Sequence, residues 1–593
     1  MPGPMLYPLE TRTRELKSLD GIWRLSFDAA HRGLEERYFE AFPSAQSIEI
    51  AVPGSINEQV VEREQHLNLD WVWYQTAFRV PATWWGHRVF LRIGAATHRA
   101  DVYVNGQLLG SHEGGYTPFE VELTNVARAG ELNQLVVRLD SLLSATTVPQ
   151  GGLDPALGGV ASWRAGNNPD VHWDAFPFMG IHRPVVLYAT GATRLASLRV
   201  ETLRLQGESA TLRARCQVDG PAQQVRLSVP ELSTEVVQNV NADGSVELDI
   251  ELSGVTPWCP GAPKLYTLEF QAESAGGVED CYNLAFGIRQ LAVTGGQFLL
   301  NGEPLLLRGF GKHEDAPIIG RGLSLPHVVK DLNLLRWVGA NSFRTSHYPY
   351  AEEVLQQADR HGILIIDEVA ANTLSMCAVR DPARREELAA AHRAQIDELV
   401  ARDYNYASVV AWSLGNECET YLENADYFGQ MVRHAKRQDV TRPVLFVVNS
   451  DPAEELAAGD FDLICVNLYP SWYTDCGKLD AIAPAMERVL TGFWKKYGKP
   501  IIVSEFGADA VAGMHSEYPV MWSEEYQVEM IERVLDCAAR YPFVVGTHVW
   551  NFADFKVGQH PGRVMLNHKG VFTRDRAPKL AAHALRRRWA QQP

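Results

Sequence analysis

The sequence predicts two β-sandwiches followed by a (β/α)₈ barrel, and three observations carry that reading. The first half is a succession of short, alternating strands punctuated by Gly, Pro and Asn, with little helical period. The apolar pattern lapses at Ala189-Thr190-Gly191-Ala192-Thr193, as a linker would. From about residue 291 the rhythm becomes strand, helix, strand. At 593 residues the chain is too long for a single core. The divisions fall at 1–190, 191–290 and 291–593.

In the first segment, residues 22–27 and 89–93 alternate in character as half-buried strands do. Val104-Asn105-Gly106-Gln107 is a hairpin signal, because Asn-Gly supplies the two positive-φ residues of a type I′ turn. The second segment, from about 194 to 290, has the length of an immunoglobulin-like sandwich. In the third, eight candidate strands follow in order: 305–309, 342–346, 363–367, 409–414, 444–448, 463–468, 501–504 and 544–550. Amphipathic helices lie between them. Ala351, Val354, Leu355 and Ala358 share one helical face, as do Leu388, Ile396, Leu399 and Val400 after an Asp381-Pro382 start. Eight such strands over ~300 residues is the arithmetic of a barrel.

The net charge of −17 speaks against nucleic-acid and anionic-membrane partners, both of which demand basic surface. Eight scattered cysteines form no Cys-x-x-Cys pair and no metal-ligand spacing, so no metal or cofactor is expected and free thiols in a reducing compartment are. The opening MPGPMLYPLETRTRELKSLDG lacks the apolar core of a signal peptide, and no run reaches the ~18 apolar residues of a membrane helix. The expectation is a cytoplasmic protein.

Chemistry gathers after the barrel strands. In order they lead to His313-Glu314-Asp315, Arg344 with His347-Tyr348-Pro349-Tyr350, Glu368, Asn416-Glu417, Tyr469 with Trp472-Tyr473, Glu505, and Trp550-Asn551. Barrel enzymes keep their reacting groups at this end. Arg344 and Glu368 read equally well as an ion pair closing the barrel top. Glu417 and Glu505 are different: two carboxyls converging on one pocket are the equipment of a glycosidase. A separation of ~5 Å would make it retaining, with a nucleophile and an acid/base, and a wider gap inverting.

Asn405-Tyr406-Ala407-Ser408-Val409-Val410-Ala411-Trp412-Ser413-Leu414-Gly415-Asn416-Glu417 resembles the acid/base signature of glycoside hydrolase family 2, although family members usually carry His-Pro at Tyr406-Ala407. Ser504-Glu505-Phe506-Gly507-Ala508-Asp509, Val549-Trp550-Asn551-Phe552-Ala553-Asp554-Phe555, Lys569-Gly570-Val571-Phe572 and, near the start, Gly114-Gly115-Tyr116-Thr117-Pro118-Phe119 look like its β-glucuronidase branch. The resemblance spans nearly the whole chain and implies a jelly-roll-like first sandwich, an immunoglobulin-like second and a catalytic barrel. It implies Glu417 as general acid/base, Glu505 as nucleophile, Asn416 on the sugar 2-hydroxyl and Tyr469 steadying the nucleophile. The acid must hold its proton near neutral pH, and an ionised Glu505 nearby would raise it. Family members commonly form dimers or tetramers, so a homo-oligomer is implied. Met5-Leu6-Tyr7-Pro8 resembles the family's beginning better than Met1 does, which leaves two candidate starts.

By the same resemblance, Asn567 and Lys569 of Asn567-His568-Lys569 bind a sugar carboxylate, and Asp174, His347, Tyr473, Trp550 and Arg563 line the sugar pocket. Trp173 stands where the family often has histidine. Lysine with an amide supplies charge and direction for a carboxylate, whereas facing a neutral hexose a buried lysine would be unpaired. The implied activity is hydrolysis of β-D-glucuronides, small or oligosaccharide. A β-galacturonidase or dual-specificity uronidase fits the same clamp, since the two sugars differ only at the 4-hydroxyl. An inactive carbohydrate-binding protein on this scaffold and a metal-dependent hydrolase using His313 and His347 are the readings from other classes. The loop after Glu368 is brief beside relatives with a long loop there, which implies an open leaving-group side.

Overall fold

The computed structural model describes residues 5–163, 166–420 and 424–590. Met1 and the outermost residues of the first and last segments lie outside the described residues. In the first segment a six-stranded antiparallel sheet runs in the order Ile48–Val52, Gly21–Phe27, Val72–Arg79, Leu132–Asp140, Arg99–Val104, Gln107–Glu113. It shares one core with a four-stranded sheet ordered Glu15–Ser18, Val185–Thr190, Arg88–Ile93, Phe119–Glu122. Alternate residues such as Leu25, Tyr74, Val137 and Leu91 fill the space between them. Asn105 and Gly106 take φ of 50° and 82° and set Val104 opposite Gln107, the turn expected of that dipeptide.

The second segment is a smaller sandwich of three strands on four. Its strand Ser245–Ser253 shows the principle plainly: Val246, Leu248, Ile250 and Leu252 are buried while their neighbours face out. The chain between Thr190 and Arg194 is short and Thr193 is buried, so the linker is packed.

Eight parallel strands then close into a barrel: β1 Leu307–Gly311, β2 Ser342–Arg344, β3 Leu364–Glu368, β4 Val409–Asn416, β5 Val444–Val448, β6 Ile464–Asn467, β7 Ile501–Glu505 and β8 Val544–Val549, which pairs back onto β1. Each lies within two residues of its sequence expectation. The strands are apolar on both faces because both are covered. In β5, Leu445 and Val447 point into the barrel, whereas Val444, Phe446 and Val448 meet the helical layer. Among the described residues seven helices form that layer: α1 Leu325–Val338, α2 Glu352–His361, α3 Pro382–Asp403, α4 Ala425–Gln438, α5 Ile482–Tyr497, α6 Glu524–Ala538 and α7 Leu580–Trp589.

The alternation of strand and helix breaks once. Between β5 and β6 there is only a 3₁₀ turn, Ala457–Gly459. The buried Glu455 accepts the N–H groups of Ala457 and Ala458 at the start of this single turn, and the chain then passes through Gly459 into β6.

At the lower end the hairpin Leu291–Thr294/Gln297–Leu300 and Trp258 plug the barrel. Phe298, Leu300 and Trp258 pack with Leu364, Ile366 and Ile502 in one apolar cluster. The barrel is shut below, and only its upper mouth is open to chemistry.

Candidate active site

The site grows out of the strand ends. β7 finishes on Glu505 and β4 on Asn416, with Glu417 next. Glu417 takes a left-handed φ of 49°, held by its N–H donating to the Val447 carbonyl of β5 at 2.8 Å. Both glutamates line a cavity of about 700 Å³ at the barrel mouth. Asp174, His347, Asn416, Tyr469, Tyr473 and Trp550 line it too, as expected. Gly507 explains how β7 and β8 come so close: a Cβ there would stand 2.2 Å from the Trp550 carbonyl oxygen.

Beneath Glu505 lies Arg344, wholly buried. Its Nη1 donates to both oxygens of Glu368 at 2.7 and 2.8 Å, and its Nη2 to Glu505 Oε1. The ion pair foreseen for Arg344 and Glu368 therefore exists and also carries the candidate nucleophile. Tyr469 O–H donates to Glu505 Oε2 at 2.7 Å. Glu368 has further support from Ser413 Oγ at 2.7 Å and His347 Nδ1 at 2.8 Å. His347 stacks on Trp550 with ring centres 5.1 Å apart, and burial lowers its pKa, so it is neutral at pH 7.

One guanidinium thus serves two buried carboxyls, and they share it unequally. Against the push of its burial, Glu368 is held below the ordinary carboxylate range by Arg344 and by the hydrogen bonds of His347 and Ser413. Glu505 has the single Nη2 contact. Burial pushes it up to about 8, Glu417 adds to the rise, and Arg344 and Tyr469 only partly oppose it. The cation that would ionise it is already committed to Glu368.

Asn467, at the end of β6, escaped the sequence reading. Its Nδ2 donates to Glu417 Oε1 at 2.7 Å and lies 3.1 Å from Asn416 Oδ1, while its own Oδ1 accepts from Ser504 Oγ at 2.9 Å. The strand-end rule that found the glutamates would have found it as well. Asn416 in turn donates to Asn372 Oδ1 at 3.1 Å.

Arg563, Asn567 and Lys569 form a row behind the cavity wall rather than the wall itself. Arg563 pairs with Asp174 at 2.9 Å and donates to the Tyr473 hydroxyl at 2.7 Å. Asn567 Nδ2 donates to Asp174 Oδ2 at 2.6 Å. Lys569 is fully buried, ion-paired with Asp509 and 3.0 Å from the Tyr473 hydroxyl. The inference that a buried lysine here would be unpaired without an anionic sugar therefore fails: Asp509, four residues past Glu505, neutralises it. Despite its own burial, Asp509 is held low by Lys569 and Arg563. Asp174 comes from the first sandwich, so the two halves of this cluster meet across segments. Trp173 lines the cavity beside it, edge-on to His172.

His313 and His347, the residues of the metal reading, have ring centres 5.7 Å apart and are engaged elsewhere, His313 at 3.3 Å from the Tyr348 hydroxyl. Among the described residues no group of three or more His, Cys, Asp or Glu is arranged to hold a metal ion.

A closed (β/α)₈ barrel whose open mouth presents two carboxyls in one cavity points to a glycosidase. Comparison with known proteins makes the class specific. Residues 16–191 match the sugar binding domain of glycosyl hydrolases family 2, 188–289 match glycosyl hydrolases family 2, and 291–592 match its TIM barrel domain. The chain belongs to glycosyl hydrolase family 2. It is 40% identical to a β-glucuronidase of Paenibacillus borealis, with 99% of each chain covered, and 40% identical to that of Homo sapiens, with 99% of this chain and 92% of the human one covered. Among solved structures, the β-glucuronidase of Ruminococcus gnavus in complex with D-glucuronic acid superposes with a TM-score of 0.91 at 34% identity, covering 99% of this chain and all of that one. An uncultured Clostridium sp. β-glucuronidase gives 0.91 at 36% identity over the same extents.

Proposed function

We propose that the chain is a retaining exo-β-glucuronidase, releasing D-glucuronate from β-D-glucuronides. The observation that carries it is the pairing of Glu417 and Glu505 on one cavity, with the Arg563–Asn567–Lys569 row behind its wall and joined to it through the Tyr473 hydroxyl. The relatives of that name support it. Glu505, as carboxylate, attacks the anomeric carbon while the glycosidic C–O bond breaks and its oxygen takes the proton of Glu417. Water then attacks the glycosyl ester, gives its proton back to Glu417, and frees Glu505. The Glu417–Glu505 pair works with one proton, which must sit on Glu417 when the substrate reacts. Tyr469 and Arg344 hold the nucleophile, and Asn416 meets the sugar 2-hydroxyl.

Lys569 has three donors; Asp509 and Tyr473 use two, leaving one for the sugar carboxylate. Asp174, His347, Tyr473, Trp550, Arg563 and Asn567 shape the rest of the sugar site. The division at 190 and 290, a homo-oligomer, and a cytoplasmic location in keeping with eight free thiols belong to the same proposal. Proton NMR of early turnover tests the mechanism: β-glucuronate is expected first, and α-glucuronate first would make the enzyme inverting.

A further inference from the structure

We infer that the seam between the first sandwich and the barrel holds a second ligand site, separate from the catalytic cavity, for a hydroxylated carboxylate the size of one sugar ring. A cavity of about 210 Å³ lies there, lined by Thr97, His98, Tyr116, Ser141 and Phe178 of the sandwich and by Arg321 from the connection between β1 and α1. Its rim is Leu142, half exposed, with the exposed Gly152 and Asp170. Trp173 lines both this cavity and the catalytic one, so the two are neighbours with one indole in common.

Buried polar side chains are ordinarily hydrogen-bonded, and two that line this cavity are not. Arg321 is 6% exposed; its Nε and Nη1 have no hydrogen-bond partner, and it joins no ion pair, among the described residues. Its guanidinium lies over two rings, 4.1 Å from the centre of Tyr348 and 4.9 Å from that of Tyr116. Glu314, the carboxylate that acts on it, is engaged by the Ala351 N–H at 2.9 Å and by Arg183 at 3.4 Å. A buried cation so placed calls for an anion. His98 is 2% exposed and neither of its ring nitrogens is hydrogen-bonded, Nε2 standing 3.9 Å from Glu113. Burial, with His112 nearby, pushes His98 down to about 4, so at neutral pH it offers one donor and one acceptor, the pair a hydroxyl answers. Tyr116, Trp173 and Phe178 supply ring faces for C–H groups. The volume, below the ~300 Å³ at which drug-sized pockets begin, limits the guest to one ring. A cation, a neutral imidazole and aromatic walls together select a sugar acid over a neutral sugar.

D-Glucuronate is such a molecule and serves as the probe, and the site stands whether or not Glu417 and Glu505 cleave glucuronides. Equilibrium dialysis of labelled D-glucuronate against the full chain, and against its His98→Phe and Leu142→Trp variants, counts the molecules bound per chain at saturation. The first variant puts a ring that cannot hydrogen-bond in place of the imidazole, and the second fills the rim from an exposed position that tolerates it. Each is checked for the parent's melting curve, and neither side chain lines the catalytic cavity. Each variant is expected to lose one bound equivalent with hydrolysis of nitrophenyl β-D-glucuronide unchanged, and excess D-glucose is expected to leave that equivalent in place in the parent. An unchanged count in either folded variant, or displacement of the equivalent by D-glucose, overturns the site. A parent inert on the nitrophenyl substrate overturns the glucuronidase reading alone, and the difference in count between parent and variants still decides the second site.

Discussion

At the scale of single residues, the unequal sharing of Arg344 has a measurable consequence. The Glu505 carboxyl stands at about 8 in the folded chain against 4.5 for an ordinary glutamate. Between those values the folded state holds a proton the unfolded state has lost, so this group's contribution is whole below pH 4.5 and is lost as pH rises through 8. Glu505→Gln cannot ionise. Its melting temperature relative to the parent is therefore expected to climb from pH 4.5 to 8, by the equivalent of a few kcal/mol at most, while its activity falls at least ~10³-fold. A pH-independent difference in melting temperature would contradict the sharing. Lys569→Met leaves the buried Asp509 with only the longer 3.7 Å contact to Arg563, and urea unfolding is expected to show a loss of up to about 3–5 kcal/mol. The sequence exposed Glu417, Glu505, Asn416 and Tyr469 because polar residues ending apolar strands are anomalous. It hid Asp509 and the pairing of Lys569, because which buried charges meet is decided by loops from different strands.

Elements follow their sequence signals where those signals are local. Asp381 caps α3, accepting from the N–H groups of Ala383 and Arg384 at 3.0 and 3.1 Å, with Pro382 in the first turn. Asp381→Ala is expected to cost about 1 kcal/mol, read by chemical unfolding. Gly507→Ala sets a methyl against the Trp550 carbonyl and parts the β7 and β8 loops. More than a ten-fold drop in kcat is expected from a displacement of under ~1 Å, with folding retained. Normal kcat would mean that the two loops yield without disturbing Glu505. The gap between β5 and β6 was the element least legible in the sequence. Periodicity announces a helix that is present, but Pro452 and Gly459 in a polar stretch resemble any long connection.

Over the whole molecule, the site depends on the first sandwich as well as the barrel. Asp174 reaches Arg563 and Asn567, Arg183 donates to the Pro349 carbonyl at 2.6 Å, and Arg92 pairs with Glu352 at 2.7 Å. No helix among the described residues is long and apolar enough to cross a membrane. A barrel cut to 291–593 keeps both glutamates yet loses Asp174, Trp173 and the Trp258 plug, and is expected to hydrolyse no nitrophenyl glucuronide. The order of segments was legible because strand and helix rhythms differ over hundreds of residues; their docking was not, because it rests on pairs far apart in sequence, charged ones such as Arg92–Glu352 and apolar ones such as Trp258 with Leu364. The most direct measurement is hydrolysis of matched nitrophenyl β-D-glucuronide, β-D-galacturonide and β-D-galactoside by the intact chain, with Glu505→Gln as blank. Turnover of the glucuronide well above the other two, abolished in the blank, is the expected result. Galactoside hydrolysis at an equal rate, or activity surviving in Glu505→Gln, would contradict it.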